Sequence, residues 1–159
     1  MSYSTTWTTY LKENKKERKA IASVVCVDEE MKILIIKRSP GEDSKQGYWD
    51  LPGGHIDNED NSIEAGVLRE LHEETGLESS LTNLKYIDKI QTGDADKYYF
   101  TTTQWSGDVK FVKNPKTGII EHSDHKWATI EEIKSEKALE LRTFPLYLLD
   151  KAVKNVKDE

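Results

Sequence analysis

The chain has 159 residues, enough for one compact domain with its own core and too few for two ordinary ones. Its 23 Lys+Arg against 29 Asp+Glu leave a net charge of −6, which argues against a general nucleic-acid binder with a basic face. A nucleotide substrate stays open, because divalent cations reverse local charge. No run approaches the ~20 apolar residues of a membrane span, so no membrane partner is expected.

The single cysteine, Cys26, excludes an intrachain disulfide. Its place in the apolar run 21–27 reads as that of a small buried hydrophobe, and a reducing, cytoplasmic location is the expectation. Residues 1–7 lack the charged and apolar regions of a signal peptide.

Residues 1–19 read as an N-terminal extension preceding a single domain over 20–157. Trp7, Tyr10 and Leu11 fall at i, i+3 and i+4 and form one short helical stripe, and 15–19 is a solvated linker. The β-rich runs 20–27 and 32–38, separated by Asp28-Glu29-Glu30, predict a hairpin. A loop follows over 40–47, then a short aromatic strand end at 48–51. Pro52-Gly53-Gly54 breaks it, and extended structure resumes at 55–57. The spacing predicts a helix over 61–75, capped by Asn61 with Glu64 reaching back, and ended by Gly76 in a left-handed conformation. Further strands are expected at 84–91, 97–105 and 126–128. Thr129 caps a short helix with Glu131 and Glu132 in its first turn. Phe144, Leu148 and Ala152 mark a last helix with Pro145 near its start. Strands mixed with about three helices make the class α/β or α+β.

The acidity is local. Between Asp57 and Glu78 stand eight acids and one base, Arg69, a net −7 against −6 for the whole chain. On a wheel of about 100° per residue starting at Ile63, Val67, Leu71 and Leu68 make a core-facing stripe, with Glu70, Glu73 and Glu74 clustered beside it. Gly66, one turn before Glu70, leaves space on that side. Like charges this close repel unless a counter-ion joins them. Oxygen ligands alone suit Mg²⁺ or Mn²⁺ rather than zinc. Arg69, four residues before Glu73, is placed to orient the cluster. Gly53-Gly54 lets the backbone approach an ion closely. Trp49, Tyr48, Tyr98, Tyr99 and Trp105 are aromatics able to stack on a base, with Trp49 and Tyr98 the substrate-binding candidates.

This combination resembles the Nudix (MutT-like) hydrolase family, whose box reads G-x5-E-x7-R-E-U-x-E-E-x-G-U with U aliphatic. Residues 69–77, Arg69-Glu70-Leu71-His72-Glu73-Glu74-Thr75-Gly76-Leu77, match its second half without a gap, and Trp49-Asp50-Leu51-Pro52-Gly53-Gly54 is similar to its lead-in. The first half departs from it: the loop is one residue longer, with Asp60 six after Gly54 and Asn61 eight before Arg69 where the pattern has Glu. In the family that Glu mainly supports the box Arg, a role Asp60 or Glu59 could take. Downstream, Glu121-His122-Ser123-Asp124-His125-Lys126-Trp127 is similar to the segment before the family's closing strand, where a loop acid joins the metals or serves as base.

The resemblance implies an α/β/α sandwich around a mixed sheet and metal-assisted hydrolysis of a diphosphate bond in a nucleoside diphosphate linked to another group. Nucleoside triphosphates and dinucleoside polyphosphates are the implied substrates. Glu70, Glu73 and Glu74, with the Gly54 carbonyl, would hold Mg²⁺ or Mn²⁺, and Arg69 would orient them. Glu121 is the outer acid, with His122 and His125 behind it, and His55 and His72 are structural or exposed. The expected partner is a small-molecule nucleotide, and the chain is expected as a monomer or homodimer. The alternative reading is a nucleotide-binding or regulatory module without turnover. An isopentenyl-type isomerase is disfavoured by the short chain and the unaccompanied Cys26.

Overall fold

In the computed structural model, which describes residues 18–39 and 47–158, the two early apolar runs become strands β1 (Lys19–Cys26) and β2 (Ile33–Arg38). They do not form the expected hairpin. Val27 and Ile33 make a single bridge, and Asp28 N–H closes the turn on the Lys32 carbonyl at 2.9 Å, after which the strands part into different sheets. The physical reason is burial on both faces. Val25, Val27, Ile33 and Ile35 pack into one core, while Ala22, Val24, Cys26, Leu34 and Ile36 pack into a second on the opposite side. A strand buried on both faces belongs inside a sheet, with a neighbour at each edge.

Two strands accordingly flank each of them. β1 lies between β4 (Gly53–His55), antiparallel, and β6 (Ala95–Thr102), parallel, with β5 (Lys85–Gln91) antiparallel outside β6. This mixed sheet has the order β4-β1-β6-β5. β2 lies between β3 (Trp49–Asp50) and β7 (His122–Ala128), both antiparallel, in a second, three-stranded sheet. The glycine pair is therefore itself a strand rather than a break between strands.

Helix α1 (Ile63–Thr75) covers one face through Ile63, Val67 and Leu71, which join Ala22, Val24, Cys26, Leu34 and Phe100. Helix α3 (Leu146–Lys157), preceded by Pro145, covers the other through Leu148, Leu149, Ala152 and Val153, with Ile133 of the short helix α2 (Ile130–Ser135) beside them. The result is an α/β molecule with a mixed sheet between helices. Cys26 lies in the interior, where burial pushes its thiol up to about 12, as befits a small hydrophobe.

The caps show which side chains set the helix ends. Ser62, not Asn61, caps α1: its hydroxyl accepts the Ala65 N–H at 3.0 Å, while Asn61 is exposed. Gly76, at φ +80°, donates its N–H to the His72 carbonyl and ends the helix in the left-handed conformation that glycine enters freely. Thr129 and Glu132 form a reciprocal capping box on α2.

Arg18 is not part of a solvated linker. Its guanidinium donates to the carbonyls of Thr92, Gly93 and Ala95 and pairs with the buried Asp96 at 3.0 Å, tying the start of β1 to the turn between β5 and β6. The expected Trp7-Tyr10-Leu11 stripe and residues 15–17 lie outside the described residues. Among the described residues, no helix is long and apolar enough to cross a membrane.

Candidate active site

The register of β1 and β4 places Gly53 opposite Ser23 and Gly54 opposite Ala22. A side chain on Gly53 would meet the Ala22 carbonyl oxygen at 2.1 Å, so only glycine lets β4 approach β1 this closely. Gly54 faces α1: a methyl group there would lie 2.7 Å from the Glu70 carboxyl carbon. The Gly53 N–H donates to Glu74 Oε1 at 2.8 Å. The glycine strand and the acid helix thus meet at Glu70 and Glu74, one turn apart on α1.

Arg69 organises the acids around it. Its Nε and Nη2 donate to the two oxygens of Asp60 at 2.8 and 3.0 Å, and its Nη1 donates to Glu70 Oε1 at 3.1 Å and Glu73 Oε2 at 3.0 Å. Its Nη2 also reaches the His55 carbonyl, which is the structural part His55 plays. Asp60 answers the one departure in the box. Despite the extra loop residue, Asp60 lies under the arginine, accepts the Asp57 N–H at 2.8 Å, and is 7% exposed, while Glu59 is exposed. The space beside Gly66 is taken up by this arrangement, since a methyl group there would meet Ile56 Cδ1 at 2.5 Å and Asp60 Oδ2 at 2.9 Å.

The electrostatics follow from burial. Burial pushes the Glu70 carboxyl up to about 7, with Glu73 and Glu121 adding repulsion that Arg69 opposes. Burial raises Glu74 well above the usual carboxylate range. The Gly53 N–H works against that rise, and the charges of Glu70, Asp50 and Glu121 add to it. Glu73, 46% exposed, sits at the outer rim in the grip of Arg69.

The second sheet brings in the rest. Glu121 directly precedes β7, and its carbonyl accepts the Ser39 N–H at 2.8 Å, which fixes it at the end of β2. Its Oε1 accepts Asn114 Nδ2–H at 2.7 Å. Next to it, His122 lies opposite Arg38 on β2, and β3 places Asp50 alongside. Asp50 receives Arg38 Nη1 at 3.0 Å, His122 Nε2 at 3.2 Å and the Thr143 hydroxyl. Burial works to raise Asp50, but its hydrogen bonds from His122 and Thr143 and the Arg38 charge hold it below the ordinary value. The ligand atoms of Glu74, Glu121 and His122 all lie within 4.8 Å of one another.

These groups open on a cleft of about 800 Å³ that also carries the cations Arg38, Lys97, Lys113 and Lys116 and the rings of Tyr99 and Phe111. Trp49 and Tyr98, the expected base-stacking residues, do not line it. Trp49 is buried in the core on the α3 side with its indole N–H on the Ala138 carbonyl, and Tyr98 is buried in the core on the α1 side. Tyr99, on the face of β6 opposite to Tyr98, is buried in the α3-side core and borders the cleft from there. His72 is exposed near Glu78, as expected, whereas His125, expected behind Glu121, is exposed with its ring edge-on to Phe111 and does not line the cleft. Asp50, Arg38, Thr143 and Asn114 were not foreseen as site residues. For Asp50 the signal was its place in the lead-in before the glycines; for the others the sequence held none.

A NUDIX domain model matches residues 17–149. The chain is 31% identical over 101 residues to the 8-oxo-dGTP diphosphatase of Proteus vulgaris, covering 60% of this chain and 85% of that one. It is 31% identical over 131 residues to a MutT-like protein of Streptomyces ambofaciens, covering 82% and 74%. The fold superposes on a MutT NUDIX hydrolase from Burkholderia pseudomallei with a TM-score of 0.65 at 21% identity, over 84% of this chain and 96% of that one. With the acid helix, its glycine strand and the arginine clasp in place, the chain belongs to the Nudix family as a MutT-like pyrophosphohydrolase.

Proposed function

We propose that the chain is a divalent-metal-dependent hydrolase that cleaves a diphosphate bond in a nucleoside diphosphate linked to another group, with nucleoside triphosphates and dinucleoside polyphosphates as its substrate class. The observation that carries this reading is the meeting of Glu70, Glu74 and Glu121 in a cleft that also carries Arg38, Lys97, Lys113 and Lys116. Buried carboxylates that repel one another, and a glycine cradle that a methyl group would fill, suit a hard divalent cation with oxygen donors. Glu70, Glu73, Glu74 and the Gly54 carbonyl would hold it. Bound there, it would polarise the phosphoryl oxygens, lower the pKa of the attacking water and neutralise the leaving group.

The chain's own residues supply the rest. Arg69, braced by Asp60, fixes the direction of Glu70 and Glu73. Glu121, tied through one oxygen to Asn114, keeps its second oxygen for the attacking water and the ion. Arg38, Lys97, Lys113 and Lys116 bind the phosphate chain, and Tyr99 and Phe111 give the base an apolar wall. The activity in the name of the Proteus vulgaris relative supports the nucleoside-triphosphate branch of this class.

Product analysis across a panel of nucleoside triphosphates and dinucleoside polyphosphates with Mg²⁺ tests the proposal. Mononucleotide plus the complementary phosphate fragment is the expected outcome. Binding of the same panel without turnover would replace it with the nucleotide-binding module.

A further inference from the structure

We propose that His122 gives the cation site a nitrogen donor, so that Glu74, Glu121 and His122 share one divalent ion in a mixed shell that favours Mn²⁺ over Mg²⁺. The inference rests on the metal-dependent reading above and deepens it by assigning a ligand of a different kind.

The first support is the position of the imidazole. His122 is 5% exposed, with the Phe111 ring 6.4 Å away on one side. Its Nε2 is engaged by Asp50 Oδ2 at 3.2 Å. Asp50 also takes hydrogen bonds from Arg38 and from the Thr143 hydroxyl, so it is an acceptor surrounded by donors. An ionised carboxylate can only accept, so Nε2–H is the donor to Asp50, and Nδ1 is the ring atom turned toward Glu74.

The second support is where Nδ1 sits. Nδ1 lies 3.8 Å from Glu74 Oε2, too far for a hydrogen bond. Two donors each about 2.1 Å from one ion lie roughly 3–4 Å apart, depending on the angle between them. The Glu121 carboxylate completes a group whose ligand atoms fall within 4.8 Å of one another. A buried ring nitrogen with its outer N–H on a carboxylate is the arrangement that fixes a metal-ligating imidazole and raises its basicity.

The choice of ion follows from the donor. Mg²⁺ is hard, demands a near-ideal oxygen shell and dehydrates reluctantly, so a nitrogen donor in the shell penalises it more than the first-row ion Mn²⁺. Replacing one oxygen by nitrogen moves the preference toward Mn²⁺.

The test uses the full chain, free of nucleotide and loaded with Mn²⁺ alone. Electron spin-echo envelope modulation reads nitrogen coupled to the ion, and titration calorimetry gives the Mn²⁺ and Mg²⁺ affinities. The wild type should show ¹⁴N modulation that changes to the ¹⁵N pattern when the chain is labelled with ¹⁵N-histidine, a readout that needs no variant. His122→Gln should lose the modulation and lower the Mn²⁺/Mg²⁺ affinity ratio about tenfold, and Asp50→Asn should weaken Mn²⁺ binding by about 10- to 100-fold. Mn²⁺ bound without nitrogen coupling, or coupling that survives His122→Gln, overturns the assignment while leaving the carboxylate site intact. A wild type that binds no Mn²⁺ at all overturns the metal-dependent reading itself and this inference with it.

Discussion

Replacing Asp60 by alanine removes the acid on which the box arginine leans. Losing one partner of a fully buried ion pair costs about 3–5 kcal/mol, and an exposed pair is worth under about 1 kcal/mol. Asp60 is 7% exposed but Arg69 is 28% exposed and keeps Asp57, Glu70 and Glu73 as partners. The expected loss therefore falls between those limits, at about 2 kcal/mol. In a domain of this size that lowers Tm by about 4–8 °C.

The effect carries a pH signature. Burial raises the Asp60 pKa, but the hydrogen bonds from Arg69 and the Asp57 N–H, with the Arg69 charge, outweigh it and hold it below the usual value. A folded-state pKa below the unfolded one gives stability that is present above the unfolded value of about 3.9 and is lost as pH falls through the folded one. Thermal melts of wild type and Asp60→Ala should differ fully at pH 7 and begin to converge only as pH falls below about 4. Asp60→Glu should not improve on the wild type, because Asp60 already lies close against Gly66. If Asp60→Ala melts with the wild type at pH 7 while Glu59→Ala, at an exposed position, loses stability, the brace has been assigned to the wrong acid.

Glu70→Gln and Glu74→Gln should each lower kcat by about 10²-fold or more. Both carboxyls are raised by burial, so the neutral variants should melt at or above the metal-free wild type at pH 7; a large loss of Tm would contradict the stated cause. Gly54→Ala should fold and lose turnover, because its methyl group displaces the Glu70 carboxylate rather than backbone; circular dichroism and steady-state rates separate the two effects. Asn114→Ala and Glu121→Gln should lower kcat more than they raise KM, and equal changes in both parameters would place the pair in substrate binding instead. Glu64 has a half-buried carboxyl with one oxygen lacking a hydrogen-bond partner, and burial raises its pKa, so Glu64→Gln should leave kcat unchanged and Tm equal or higher in a paired melt and rate assay.

The acid helix was legible because its signals are local. The period of Ile63, Val67 and Leu71, the Gly76 terminator and the spacing of Glu70, Glu73 and Glu74 all lie within one helix. The cap was misplaced by one residue, from Ser62 to Asn61, since both side chains can accept the same N–H groups. What depends on strand pairing was not legible. Asp50 and His122 are 72 positions apart and meet only because β2 lies between β3 and β7. Trp49 and Tyr98 were candidates by residue type, but both are buried in the core away from the cleft, and Tyr99, buried in the same core as Trp49, is the one that borders it. The apparent hairpin failed for a similar reason: adjacency in sequence suggested pairing, while two-sided burial called for different neighbours.

Nucleoside-triphosphate turnover followed against free Mg²⁺, with Glu74→Gln assayed alongside, tests the metal-dependent cleavage most directly. The account predicts mononucleotide and pyrophosphate formation that saturates with Mg²⁺, vanishes in excess EDTA, and drops by about 10²-fold in Glu74→Gln at saturating metal. Turnover that persists in EDTA, or a Glu74→Gln rate equal to the wild type, would contradict it.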